Sequence, residues 1–91
     1  MYLRIHTKLL TLNPILIKLE NVSHLHAHHE AMKQSTSKES HFHLMMVSNV
    51  FSHKRLLERH KLIYSLLNEE MKEIHALQMK LLTEEEFNKT N

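Results

Sequence analysis

The chain reads as one α+β domain over residues 1–91, of element order α-β-β-α-α-β, with a three-stranded mixed sheet covered by helices on one face. Three observations lead there. Three short stretches, 15–20, 41–48 and 73–81, alternate apolar and other residues with the period of a half-buried strand. Two others, 2–12 and 53–72, space their apolar residues as helices do. A chain of 91 residues is long enough for one hydrophobic core and too short for two. A single layer of helices on a small sheet is then the most economical arrangement of these elements.

Tyr2, Ile5, Leu9 and Leu12 form the stripe of the first helix, and Asn13-Pro14 ends it because a residue before proline is pushed out of the α region. The same stretch carries Arg4, His6 and Lys8 with no acid before Glu20, a composition that a short targeting remnant also has. Pro14 leads straight into a strand without an obvious cleavage site, which favours a retained helix. The first strand should bury Ile15, Ile17 and Leu19. Residues 21–40, rich in His, Ser, Thr, Lys, Glu and Gln, read as a long loop, and loops of that length are usually functional or mobile.

In the second strand Phe42, Leu44 and Met46 share one face and His41, His43, Met45 and Val47 the other. Ser48-Asn49 breaks the pattern. Ser52 is placed to cap a helical turn through Leu56-Leu57 that runs on to Leu62, Ile63, Leu66, Leu67 and Met71, as one long helix or two abutting ones. The third strand sets Leu77, Met79 and Leu81 against Ala76, Gln78 and Lys80. Thr83 with Glu86 three residues later has the form of a capping box opening a terminal helical turn.

Composition excludes several chemistries. With no cysteine the chain has no disulfide, no thiolate zinc site and no cysteine nucleophile, so any metal must be held by His, carboxylate or a partner's ligands. With no glycine it has no glycine-rich phosphate loop. Its longest apolar run, Leu44 to Val47, falls far short of the roughly 20 residues of a bilayer crossing. Twelve Lys and Arg against ten Glu leave a charge of only +2, too balanced to imply a nucleic-acid partner by itself.

Ten histidines could raise that charge to +12 when protonated, and imidazole is also a common transition-metal ligand. Most of them read as plain surface residues. His24, His26, His28 and His29 form a dense cluster suited to adventitious Ni, Zn or Cu binding. Residues 53–61, with Lys54, Arg55, Arg59 and Lys61, are either a nucleic-acid surface or a solvated or docking helix face. Arg59 could equally pair with Glu58, Glu69, Glu70 or a helix C-terminus, and His60 could cap or pack. No spacing supports an enzyme.

The element order is that of a class II KH-like domain, and five strings sharpen the match: Ser40-His41-Phe42, Val47-Ser48-Asn49-Val50-Phe51, Glu58-Arg59-His60-Lys61-Leu62-Ile63-Tyr64, Ile74-His75-Ala76-Leu77 and Thr83-Glu84-Glu85-Glu86-Phe87. Their order and separations over residues 13–87 resemble the BolA/IbaG family. The chain departs from that family's pattern at His53, where glycine is usual, and in a loop from Glu30 to Glu39 without Gly or Pro.

The resemblance implies a non-enzymatic partner of monothiol glutaredoxins that handles [2Fe-2S] clusters for downstream apoproteins. In such a heterocomplex the cluster is bridged by a glutaredoxin cysteine, the thiol of glutathione and histidine from the BolA-like protein, which is a monomer alone and binds no cluster by itself. His75 matches the family's ligand at the start of the last strand. His26 best matches a second ligand from the long loop, with His29 and then His24 as runners-up. Lacking cysteine, the chain falls in the histidine-loop subgroup, which leans mitochondrial in eukaryotes and cytoplasmic in bacteria. Family members have also been regarded as transcriptional regulators through the basic segment.

Overall fold

The computed structural model describes residues 1–22 and 41–90. Helix α1 (Tyr2–Leu10) is followed by β1 (Leu16–Asn21), β2 (His41–Val47), a 3-10 turn (Asn49–Phe51), α2 (Leu56–Leu66), a second 3-10 turn (Glu70–Lys72), β3 (Ala76–Leu82) and α3 (Glu84–Thr90). The sheet order is β1-β2-β3, with β1 antiparallel to β2 and β2 parallel to β3. This is the α+β mixed sheet that the sequence predicts.

Strand alternation sorts the two faces. Leu19, Phe42, Leu44, Met46 and Leu81 are buried in one cluster with Ile5 and Leu9 of α1, Ile63 of α2, Leu67 at its end, Phe51 and Ile74. Burying each large apolar side chain is worth about 1.5–3 kcal/mol, so this layer holds the sheet and helices together. On the other face the register sets Lys18 and Glu20 beside Met45 and His43, and these beside Lys80 and Gln78. These six residues are exposed or half-buried, whereas Val47, at the far end of the same face, is buried.

Several local expectations change. Ile15 is 52% exposed, because it lies one residue before the first paired position of β1. Asn21 closes β1, and the Val22 N–H donates to the His41 carbonyl at 2.9 Å, so pairing reaches into the stretch read as loop; the rest of that stretch lies outside the described residues. Ser52 caps no helix start. Ser48 does that for the first 3-10 turn, accepting from the Val50 N–H at 3.2 Å while its hydroxyl donates to the Leu12 carbonyl at 2.7 Å. Helix α2 starts at Leu56, where Glu58 reaches back to accept from the Arg55 N–H at 2.7 Å.

Leu56 and Leu57 are 66% and 65% exposed: Leu57 points away from the edge that Arg59, Ile63 and Leu67 bury, and Leu56, in phase with that edge, is the first residue of the helix and stays uncovered. Of two helical segments before β3, the second is only the 3-10 turn at Glu70–Lys72. Terminal capping is as expected: the Thr83 N–H donates to Glu86 Oε1 at 2.9 Å and the Glu86 N–H to Thr83 Oγ1 at 3.2 Å.

Among the described residues, two that are not glycine adopt left-handed backbone, Asn13 at φ 52° and His53 at φ 65°. Asparagine visits this region readily, and Asn13 turns the chain out of α1. His53 follows Ser52 at φ −61°, ψ 139°, and the Lys54 N–H donates to the Phe51 carbonyl at 3.2 Å. This is a type II turn, whose third position favours glycine. The turn is therefore kept without the glycine. His53→Gly should stabilise the fold by about 0.5–1 kcal/mol, the relieved strain less the added chain entropy, read as a higher urea midpoint at unchanged slope.

Candidate functional site

The parallel pairing of β2 and β3 starts with His41 opposite Ala76, so the residue before Ala76 also stands at this end of the sheet. That residue is His75, exposed in the bend entering β3. Its ring lies 4.9 Å from the His41 ring, centre to centre, at an interplanar angle of 44°. Strand phase with Leu77 and Met79 suggests partial burial for His75. Instead Ile74 takes the buried position and the chain bends after it, turning His75 outward.

The bend is anchored from below. The Ile74 and Glu73 N–H groups donate to the Glu70 carbonyl at 3.1 and 2.9 Å. The buried Glu70 carboxylate accepts from Lys8 Nζ at 2.9 Å and faces the Arg4 guanidinium at 3.3 Å, so two cations of α1 hold the turn that delivers His75. Burial opposes ionisation of Glu70, but the Lys8 hydrogen bond, a backbone hydrogen bond and the charges of Lys8 and Arg4 together leave its carboxyl below its ordinary range. Removing that carboxylate by Glu70→Ala should cost about 2 kcal/mol, since both cations can turn to water, and should lower the thermal midpoint.

His26, His29 and His24 lie outside the described residues. His41 was legible only as a strand-face residue, because what makes it a neighbour of His75 is a pairing between segments 35 positions apart in the chain. Among the described residues no three His or carboxylate side chains gather around a common point. At this end the sheet offers a pair of imidazoles.

The basic segment is divided by burial. Arg55 and Lys61 are exposed and Lys54 half-buried, but Arg59 is only 6% exposed and offers little surface to a nucleic acid. Its Nε donates to the Lys54 carbonyl and one terminal nitrogen to the Leu81 carbonyl, both at 2.9 Å. The guanidinium also grips Glu86 bidentately at 2.6 and 3.0 Å. Its partner is thus Glu86, in preference to the three acids nearer in sequence. A planar, always-charged fork suits this role as lysine would not.

Hydrogen bonding from Arg59, then from the Thr83 backbone, holds the Glu86 carboxyl down at about 2. The unfolded chain titrates near 4.5, so this contribution is complete above that pH and is lost as pH falls from there through about 2. Glu86→Gln should therefore make stability less pH-dependent over that window, as measured by denaturant unfolding at a series of pH values. Arg59→Ala should cost about 3 kcal/mol, because it also strands two carbonyls.

A small α+β domain with a mixed three-stranded sheet and a histidine at the entry of its last strand is the class that these observations define. Residues 10–86 match the family model described as BolA-like protein. The chain is 45% identical over 69 residues to SufE-like protein 1, chloroplastic/mitochondrial, of Arabidopsis thaliana, covering 72% of this chain and 19% of that protein. It is 42% identical over 79 residues to the DNA-binding transcriptional regulator BolA of Haemophilus influenzae, covering 86% and 71%. The solved BolA1 structure from Arabidopsis thaliana superposes with a TM-score of 0.83 at 39% identity, covering 94% of each chain. The chain belongs to the BolA family, and it spans only about a fifth of the SufE-like relative.

Proposed function

We propose that this chain is a non-enzymatic adaptor in iron–sulfur cluster maturation and trafficking, joining a monothiol glutaredoxin and glutathione in a [2Fe-2S]-bridged heterocomplex. The observation that carries this reading is the exposed His75 at the entry of β3, set on an anchored bend in a BolA-type fold. A ligand on a rigid element needs little reordering to meet an incoming iron.

The cluster is cargo. Two thiols come from glutaredoxin and glutathione, and this chain supplies neutral imidazoles: His75, and from the 21–40 stretch His26, ahead of His29 and His24. Replacing thiolates by imidazoles on one iron lowers the anionic charge, raises the potential and makes ligation proton-sensitive, as in Rieske centres. Such a half-site favours transfer to downstream apoproteins over permanent storage. The exposed Leu56, Leu57 and Lys61 of α2, with Arg55 just before it, give a partner mixed basic and apolar surface. The compartment that fits is the mitochondrial matrix in a eukaryote and the cytoplasm in a bacterium. No helix among the described residues is long and apolar enough to cross a membrane.

A second reading rests on the basic segment at and before the start of α2, a nucleic-acid-binding regulator using Lys54, Arg55 and Lys61. Its steep loss of binding with salt would mark it. With Arg59 committed internally, three cations give the weaker case.

The test is anaerobic reconstitution of a [2Fe-2S] cluster on a monothiol glutaredoxin with glutathione, titrated with this chain and followed by visible circular dichroism. A new spectrum should saturate at one-to-one, disappear with His75→Ala and change with His26→Ala. No spectral change with the unaltered chain sinks the adaptor reading; salt-sensitive DNA or RNA binding would then favour the second.

A further inference from the structure

We propose that Glu70 is a positioning residue for His75, with Lys8 and Arg4 as its counterions, so that the aim of the imidazole entering β3 is set from α1. The inference deepens the proposed function and rests on it. Glu70 works through two acceptors at once. Its carboxylate accepts from Lys8 Nζ at 2.9 Å and faces the Arg4 guanidinium at 3.3 Å. Its carbonyl accepts from the N–H groups of Glu73 and Ile74, the two residues before His75, at 2.9 and 3.1 Å. Arg4 also reaches the Glu73 carboxylate at 3.8 Å, so α1 touches the bend twice.

The remaining freedom is small. The Met71 N–H donates to the Leu67 carbonyl at 2.8 Å, which ties the turn to the end of α2. Beyond His75 the chain is fixed again, because Ala76 is in register with His41. His75 is thus one residue between two held points, and the direction of its side chain follows from how the turn at Glu70 is rotated.

Stability alone does not account for a carboxylate in this place. Glu70 is 1% exposed and its chain neighbours Leu67 and Ile74 lie in the core. An apolar side chain would fill the same space without desolvating a charge, an exchange that is often neutral or stabilising. Apolar packing has no direction, however, whereas charge-assisted hydrogen bonds fix a rotation. A ligand has to be held within about 0.5 Å and 10–20° of its working geometry, and losing an outer support typically costs it about 10–100-fold in metal affinity.

The test uses Glu70→Met, which removes the charge at a similar side-chain length. In the anaerobic titration of a cluster-loaded monothiol glutaredoxin with glutathione, the concentration of this chain that half-develops the circular dichroism spectrum should rise about tenfold. Lys8→Met should raise it too, and Lys8→Arg, which gives the cation back, should restore it. Glu86→Gln, which loosens the opposite end of the sheet, should leave it unchanged. No rise with Glu70→Met, or an equal rise with Glu86→Gln, overturns the proposal.

Positioning is also read without the cluster. In the 15N-labelled apoprotein, Glu70→Met should lower the amide order parameters of residues 73–75 and remove the NOE between the His41 and His75 rings, while the amides of Leu44 and Met46 stay as they are. No change at residues 73–75 overturns the positioning role. If the unaltered chain yields no heteromeric spectrum, the adaptor reading falls and these NMR readouts judge the positioning by themselves. Should Glu70→Met fail to fold, Glu70→Gln, which keeps the shape and one acceptor, takes its place in both arms.

Discussion

Everything in this fold answers to the parallel pairing of β2 with β3. Parallel neighbours cannot be joined by a tight turn, so the chain must leave the end of β2, cross the sheet and return to its beginning. Helix α2 is that crossing, and Ile63 and Leu67 fasten the return path to Phe42, Leu44 and Met46. Parallel strands also line up like ends. His41 and Ala76 share one end, while Val47 and Leu82 share the other.

The two ends are treated in opposite ways. At the far end, polar groups are used up within the fold: the Ser48 N–H donates to Leu82, Arg59 spans Lys54, Leu81 and Glu86, and the Glu84 N–H donates to the Asn49 side chain at 3.2 Å. Charges that satisfy one another in this way stabilise the fold and offer little to a ligand. At the near end, the buried Glu70 carboxylate is held by Arg4 and Lys8, and the bend it anchors leaves His75 exposed, with the half-buried His41 beside it. The contrast commits the far end to structural stability; on the proposed function, recognition falls to the histidine end.

The same division explains the basic segment. Four cations close together in sequence suggest a phosphate-binding face, but a helix turns its residues through 100° each, and position 59 falls on the buried edge with Ile63. Burial of a guanidinium is tolerable only because its donors find carbonyls and a carboxylate. The surface that remains mixes Arg55 and Lys61 with two exposed leucines, more like a protein-docking face than a phosphate track.

Periodicity determined which residues form the core: Ile5, Leu9, Phe42, Leu44, Met46 and Leu81 were legible because strand and helix periods are local properties of the chain. The capping box at Thr83 and Glu86 was legible for the same reason, its partners being one turn apart. Residue strings carried the family, and that resemblance singled out His75 as a ligand. Beyond local reach were the bidentate grip of Arg59 on Glu86, the Arg4 and Lys8 clamp on Glu70, and the approach of His41 to His75. Each joins residues more than two dozen positions apart, and only the paired strands and packed helices set those distances; no period in a sequence encodes them.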